Sequence, residues 1–224
     1  MTFKDKVLEA AAVEFAEHGF GGARVDRIGR LAGVSKGTIY YHFKSKRALY
    51  QLILRSIYEK LSALLSAIAS SPSTPAERMA DVVTEVGTLY VNQPAAPVLL
   101  MRELCEAGKH LDTETFQVFA DVPRLFLGML REGISDGSLR NIPELVAYYF
   151  ILGPVQTFIA GVPFRQRARR QTRPTVYGAA DGRDEAERFI RDFRSFLLEV
   201  LPAQPVGKPI TVKEYAPTGS IGAR

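Results

Sequence analysis

The chain has one cysteine, Cys105, in 224 residues. No disulfide can close within it and no four-thiolate metal site can be built, so a reducing, cytoplasmic setting is expected. Acidic residues are missing from a whole stretch. The five in the first fifty residues (Asp5, Glu9, Glu14, Glu17 and Asp26) all precede position 27, leaving 27–50 with positive charge only. Nine bases share those fifty residues, so this segment holds +4 of a formal net charge of +5. A patch of one sign points to a polyanion such as nucleic acid. The opening MTFKDKVLEAA alternates charge with apolar residues and lacks the apolar core of a signal peptide. There is no internal repeat, and one long charge-free run, 145–164. Gly153-Pro154, Gln156 and Thr157 interrupt that run and no second span accompanies it. Burial against protein is therefore expected rather than a membrane crossing.

What remains is almost all helical in period. Phe3, Val7, Ala11 and Phe15 recur every fourth residue, with Gly19 as the stop. Val25, Ile28 and Ala32 mark a short second helix, and Ile39 and Phe43 a third. From Leu49 to Ile68 one apolar stripe persists until the Ser/Pro-rich SSPSTP. Further helices are predicted at 75–92, 96–108, 113–132 with a bend or break at Pro123, 143–160 and 185–201. A loop is expected over 161–183, whose arginines 165, 167, 169, 170 and 173 read as a solvated run. The fold class is all-α. An N-terminal three-helix domain over 1–47 precedes a larger helical domain over 48–201, and 202–224 reads as a flexible tail.

Residues 24–46, RVDRIGRLAGVSKGTIYYHFKSK, carry the clearest chemistry. Two short helices joined by AGVS, with Val25, Ile28, Ala32, Val34, Ile39 and Phe43 turned inward, make a helix-turn-helix. Gly33 suits the turn and Ser35 can cap the second helix. The outward set lies near the N-terminal end that such a unit inserts into the major groove. Lys36 suits guanine acceptors or a phosphate, Gly37 permits close approach, and Thr38 suits a phosphate or a thymine methyl. Tyr40, Tyr41 and His42 offer flat bodies with polar tips, while Lys44 and Lys46 follow as a phosphate clamp.

In order and spacing, Gly19-Phe20 and VDRIGRLAGVSKGTIYYHFKSKRAL (25–49) resemble the tetracycline-repressor (TetR) family of bacterial transcriptional regulators. The resemblance covers roughly the first fifty residues. It implies an all-α homodimer that binds an operator in double-stranded DNA through its head. The C-terminal body would hold a small-molecule effector pocket and the dimer interface. By position, Lys36, Thr38, Tyr40, Tyr41, His42 and Lys46 would touch DNA. Two positions depart from the usual pattern. Arg24 stands where a threonine or serine generally caps the second helix, a loss of about 1 kcal/mol unless a phosphate contact compensates. Gly29 replaces a common alanine and loosens the helix by about as much.

On this reading 143–160 and the last helix form a four-helix bundle with a second copy. Tyr149, Leu152, Phe189, Phe193, Phe196, Leu197 and Val200 are the expected interface. Met101, Leu104, Phe116, Phe119, Leu127, Tyr148 and Phe158 are candidate pocket lining, and their character favours a largely apolar effector. No enzyme is expected. Gly133-Ile134-Ser135-Asp136-Gly137 matches the G-x-S-x-G pattern literally, but a helix precedes it and no histidine follows. His110 with Cys105, Glu106 and Asp112 gathers metal-ligating residue types at spacings of no standard site, so neither metal nor cofactor is expected.

Overall fold

A computed structural model describes residues 2–171 and 182–203, so Arg173 and nearly all of the expected 202–224 tail lie outside the described residues. Among these are ten helices: α1 Phe3–Gly22, α2 Val25–Ala32, α3 Lys36–Phe43, α4 Lys46–Ala69, α5 Pro75–Asn92, α6 Ala95–Cys105, α7 Thr113–Ser135, α8 Glu144–Ala160, α9 Val162–Gln171 and α10 Gly182–Val200. Capping chemistry sets many of the ends. Thr2 and Thr74 form capping boxes with Asp5 and Glu77, and Ser35, Ser45 and Asp112 accept hydrogen bonds from the third residue of α3, α4 and α7.

The head comprises α1–α3 packed on the start of α4. Val7, Ala11, Phe15, Ile28, Ile39, Phe43 and Leu49 close its core. α1 changes direction at Gly19 (φ 68, ψ 171), and one further turn carries Phe20 back onto Phe15 and Tyr50, at ring-centroid distances of 6.1 and 5.3 Å. Gly33, at φ 68 and ψ 33, ends α2 in the left-handed conformation the turn requires. α4 then crosses into the body, where it packs on α7 and α5.

Several expectations are corrected here. Of the bend or break expected at Pro123, the break does not occur: α7 runs through it to Ser135. The carbonyl deprived of its N–H partner belongs to Phe119, on a turn open to solvent, where water can replace the bond. The 161–183 loop instead contains α9, whose arginines are not simply solvated. Arg165 is buried, stacks 3.9 Å from the Phe158 ring centroid and donates to the Phe158 carbonyl. Both Arg165 and Arg169 pair with Glu185 of α10. Nor is the start of the tail free: Leu139 and Pro202 form an antiparallel bridge, with Ala203 N–H donating to the Ser138 carbonyl. No single helix among the described residues is long and apolar enough to cross a membrane. Only α8 and α9 together would reach, and they are bent by 51°.

α8 is apolar on all sides yet buries one stripe, Ala147, Ile151, Val155 and Ile159, largely against α5. Leu145, Val146, Tyr149 and Phe150 are exposed. α10 carries two neighbouring stripes. Ala186, Ile190 and Leu197 are buried within the chain itself, and Ile190 fits where Gly87 of α5 has no side chain; a Cβ there would lie 2.6 Å from Ile190. Leu197, expected at a dimer interface, is therefore core. Phe189, Phe193, Phe196 and Val200 lie on the adjoining, partly open stripe.

Candidate nucleic-acid interface and ligand cavity

α3 divides as its sequence predicts. Ile39 and Phe43 are buried, whereas Tyr41 is 84% and Tyr40 39% exposed. Ser35 Oγ accepts from Thr38 N–H at 3.0 Å and sits 2.8 Å from the Thr38 hydroxyl, fixing the end of the helix that would meet a groove. His42 packs on Phe3 of α1, ring centroids 4.7 Å apart, and meets Tyr41 edge-on. Lys36 extends to Asp26 of α2, with Nζ 3.1 Å from the carboxylate. Lys46 is turned inward: its ammonium donates to the Ala23 carbonyl at 3.0 Å and lies over Phe20. As placed, it braces the end of α1 rather than extending outward as a clamp.

Arg24 provides no side-chain cap, in line with the sequence, and its own backbone N–H is held from outside the motif. The buried carboxylate of Glu14 accepts the Arg24 backbone N–H at 2.8 Å and Arg27 Nε at 2.7 Å. Burial opposes the charge on Glu14, yet the hydrogen bonds from Arg27 and Arg24 outweigh it and hold this carboxyl below its usual range. Gly29 is also more than a loose point in α2. A Cβ there would stand 2.7 Å from the Val34 carbonyl oxygen, so the turn closes tightly over it.

Lys44 ends α3 at φ 63 and ψ −47, a conformation that favours glycine. Lys44→Gly is expected to raise stability by about 1 kcal/mol, read as a higher melting temperature. If α3 enters a DNA groove, affinity should also fall by a similar factor on every sequence tested, because the charge lost would then sit on the phosphate backbone.

The body encloses a cavity of about 440 Å³ bounded by α4–α8, within the size range of small-molecule sites. Met101, Leu104, Phe116, Phe119 and Tyr148 are among the residues that border it. Leu127 and Phe158 do not: Phe158 is stacked between Phe189, centroids 4.1 Å apart, and Arg165. Leu104 and Phe116 are exposed at the rim, as is Tyr149 of α8, which also belongs to the expected dimer surface, and Leu152 joins the wall. Burial raises the phenol pKa values of Tyr58, Tyr90 and Tyr148, the last to about 12, so all three present neutral hydroxyls. The lining contains no lysine, arginine or histidine, and its single carboxylate is Glu103.

Sequence reasoning missed Glu103 and its neighbour Arg102, which join the cavity to the head. Glu103 is 2% exposed; its Oε1 accepts the Tyr50 hydroxyl at 2.9 Å and lies 2.8 Å from His110 Nδ1. Arg102 reaches the opposite way and donates through Nε and Nη2 to the Ala16 carbonyl of α1, at 3.2 and 3.1 Å. His110 packs on Phe20, centroids 4.4 Å apart, completing the junction. Two consecutive residues of α6 thus hold the cavity wall and the end of α1.

Comparison with known proteins agrees with this geometry. The family model described as bacterial regulatory proteins, tetR family, matches residues 7–53. The chain is 29% identical over 139 residues to the HTH-type transcriptional repressor NicS of Pseudomonas putida, covering 62% of this chain and 65% of that relative. It is 27% identical over 155 residues to the HTH-type transcriptional repressor KstR2 of Mycolicibacterium smegmatis, covering 66% and 73%. Among solved structures, the ketosteroid transcriptional regulator KstR2 of Mycobacterium tuberculosis matches with a TM-score of 0.69 at 22% identity, over 91% of this chain and 96% of that one. The transcriptional regulator FadR from Bacillus subtilis, solved in complex with stearoyl-CoA, matches at 0.62 and 18% identity, over 87% and 97%. At these identities the structural likeness is one of fold.

Proposed function

Because the chain belongs, through the head matched over residues 7–53, to the tetR family of bacterial regulatory proteins, we propose that it is a transcriptional repressor that binds an inverted-repeat operator as a homodimer and leaves it when a small, largely apolar effector enters the cavity. The observation that carries this reading is the α6 junction. An effector in the cavity presses on the helix turn whose Arg102 holds α1 and whose Glu103 holds α4. An effector that favours one arrangement of that junction shifts the spacing of two heads, and the change in operator affinity equals its differential affinity for the two arrangements. Paired α3 helices would enter major grooves about 34–36 Å apart.

The lining narrows the effector. With no cation in the wall and a carboxylate at one end, an anionic headgroup is poorly served inside, so an acyl chain or ring system fills the cavity and any charged portion stays at the rim. The molecule bound in the FadR complex, stearoyl-CoA, likewise includes an acyl chain. A DNA-binding regulator without an effector is less well supported, since the body contains a cavity of ligand size. We assign DNA contact to Ser35, Lys36, Gly37, Thr38, Tyr40, Tyr41, His42 and Lys44, with Arg24 at the neighbouring backbone.

The decisive measurement is fluorescence anisotropy of the protein on DNA from its own promoter region. Lys36→Ala and Tyr41→Ala are each expected to weaken binding by about tenfold or more, at about 1–3 kcal/mol per specific contact. Unchanged affinity in both would refute the assignment of α3 as the reading helix.

A further inference from the structure

Where the cavity meets the head, α6 ends in a turn that doubles back. Ala107 (φ 55) and Gly108 (φ 67) both take left-handed backbone conformations, the first without the freedom of glycine. The reversal returns His110 to the side of α6 from which it departed. Glu103, Glu106 and His110 thereby present one carboxylate oxygen or ring nitrogen each, all within 4.8 Å of one another. Glu103 and His110 are 2% and 4% exposed, and the half-buried Glu106 closes the open side with Oε2 3.7 Å from His110 Nδ1. The cluster differs from the one the sequence suggests. Asp112 is committed to capping α7 and pairing with Arg55, and Cys105 is exposed. Glu103 takes their place.

We propose that Glu103, Glu106 and His110 form a divalent transition-metal site, suited by its donor set to zinc. Two carboxylates and an imidazole match zinc's preference for nitrogen and oxygen donors. Calcium would require six to eight oxygens, which the cluster does not supply. Three protein ligands leave a fourth position for water or for the Tyr50 hydroxyl, which lies 2.9 Å from Glu103 Oε1. In the metal-free chain a hydrogen bond spans Glu103 Oε1 and His110 Nδ1. Ligation at Nδ1 places the imidazole hydrogen on Nε2, and the metal replaces that hydrogen bond as the two atoms part to about 3.3 Å, the spacing of tetrahedral zinc ligands. Lys109 Nζ lies 2.6 Å from Glu106 Oε2 on the exposed side, so a metal must displace this ammonium from the oxygen it takes. Glu103 lines the effector cavity and His110 touches Phe20 of the head, so metal loading alters the contact between them. The site stands whether or not the regulatory reading is correct, because its test requires no DNA.

The test titrates tag-free, full-length protein with zinc chloride in competition with a chromophoric chelator. One zinc per chain is expected, together with a melting temperature raised by several degrees. Glu106→Gln, a change outside the core, should weaken zinc binding at least tenfold and abolish the thermal shift while leaving the metal-free melting temperature unchanged. Cys105→Ser and His18→Ala should bind as the parent does. The proposal is overturned if no saturable zinc is taken up or if Glu106→Gln retains parental affinity. It is equally overturned if Cys105→Ser or His18→Ala loses the zinc, which would place the ion on the exposed thiol or beside Glu14 and Glu17.

Discussion

Glu103→Ala is expected to destabilise the protein by about 2–6 kcal/mol, at about 1–3 kcal/mol for each of two buried groups left without its acceptor. The substitution strips the acceptor from the Tyr50 hydroxyl and from His110, both of which remain enclosed. For a chain of this length the melting temperature should fall by on the order of 10 °C. Glu103→Gln is the informative partner. An amide oxygen can still accept from Tyr50, so a smaller fall is expected, and the difference between the variants separates shape from charge. Thermal melts by circular dichroism measure both. A Glu103→Ala protein melting within a degree or two of the parent would show that the junction is not held there.

The second large effect concerns assembly. Phe150 is 44% exposed in the protomer and lies near Phe193 and Phe196, with centroids 6.1 and 6.4 Å away, on the open side of α8 and α10. If two copies meet on this face about a two-fold axis, each substitution acts twice. A buried aromatic anchor is worth about 2 kcal/mol or more, so Phe150→Asp should weaken a dimer about a thousandfold. Analytical ultracentrifugation should then find a monomer with helix content intact, and operator binding should collapse with it. Phe150 serves better here than Phe193, which is half-buried within the protomer, so its loss would mix folding with assembly. A Phe150→Asp protein that remains dimeric at micromolar concentration would place the interface elsewhere.

The head was legible because its determinants are local. Gly33, Ser35, Ile39 and Phe43 set turn, cap and inner face within eleven residues, and Tyr41 points outward as that register requires. The missed residues all act across distance in the chain. Glu14 holds the backbone N–H of Arg24 ten residues on, Arg102 reaches back to Ala16, and Glu103 meets Tyr50 across 53 positions. A faint signal existed, since Glu14 and Glu103 occupy apolar register positions, beside Ala11 and Phe15 and beside Leu99 and Leu100. A carboxylate on an inner face asks for a partner. α9 was hidden for the opposite reason: RQRARRQ has no apolar period, and its docking depends on Glu185. Leu197 was misassigned because two apolar stripes adjoin on α10, and spacing alone does not say which one the protomer keeps. Phe158 fails as pocket lining because an aromatic in an all-apolar helix has no sequence mark distinguishing a cavity wall from a stack.

The Lys36–Asp26 pair has a consequence for how binding responds to ionic strength. A bare lysine that docks on a phosphate frees a cation condensed on the DNA, and each such contact steepens the salt dependence by about 0.9 in the log–log slope. Lys36 arrives with a counter-ion built into the chain. When a phosphate takes its ammonium, Asp26 is left to collect a cation from solution, and the two exchanges nearly cancel. Lys36 then contributes position while adding little to the salt slope. The first residue of the recognition helix would then hold the DNA backbone almost as firmly in concentrated salt as in dilute.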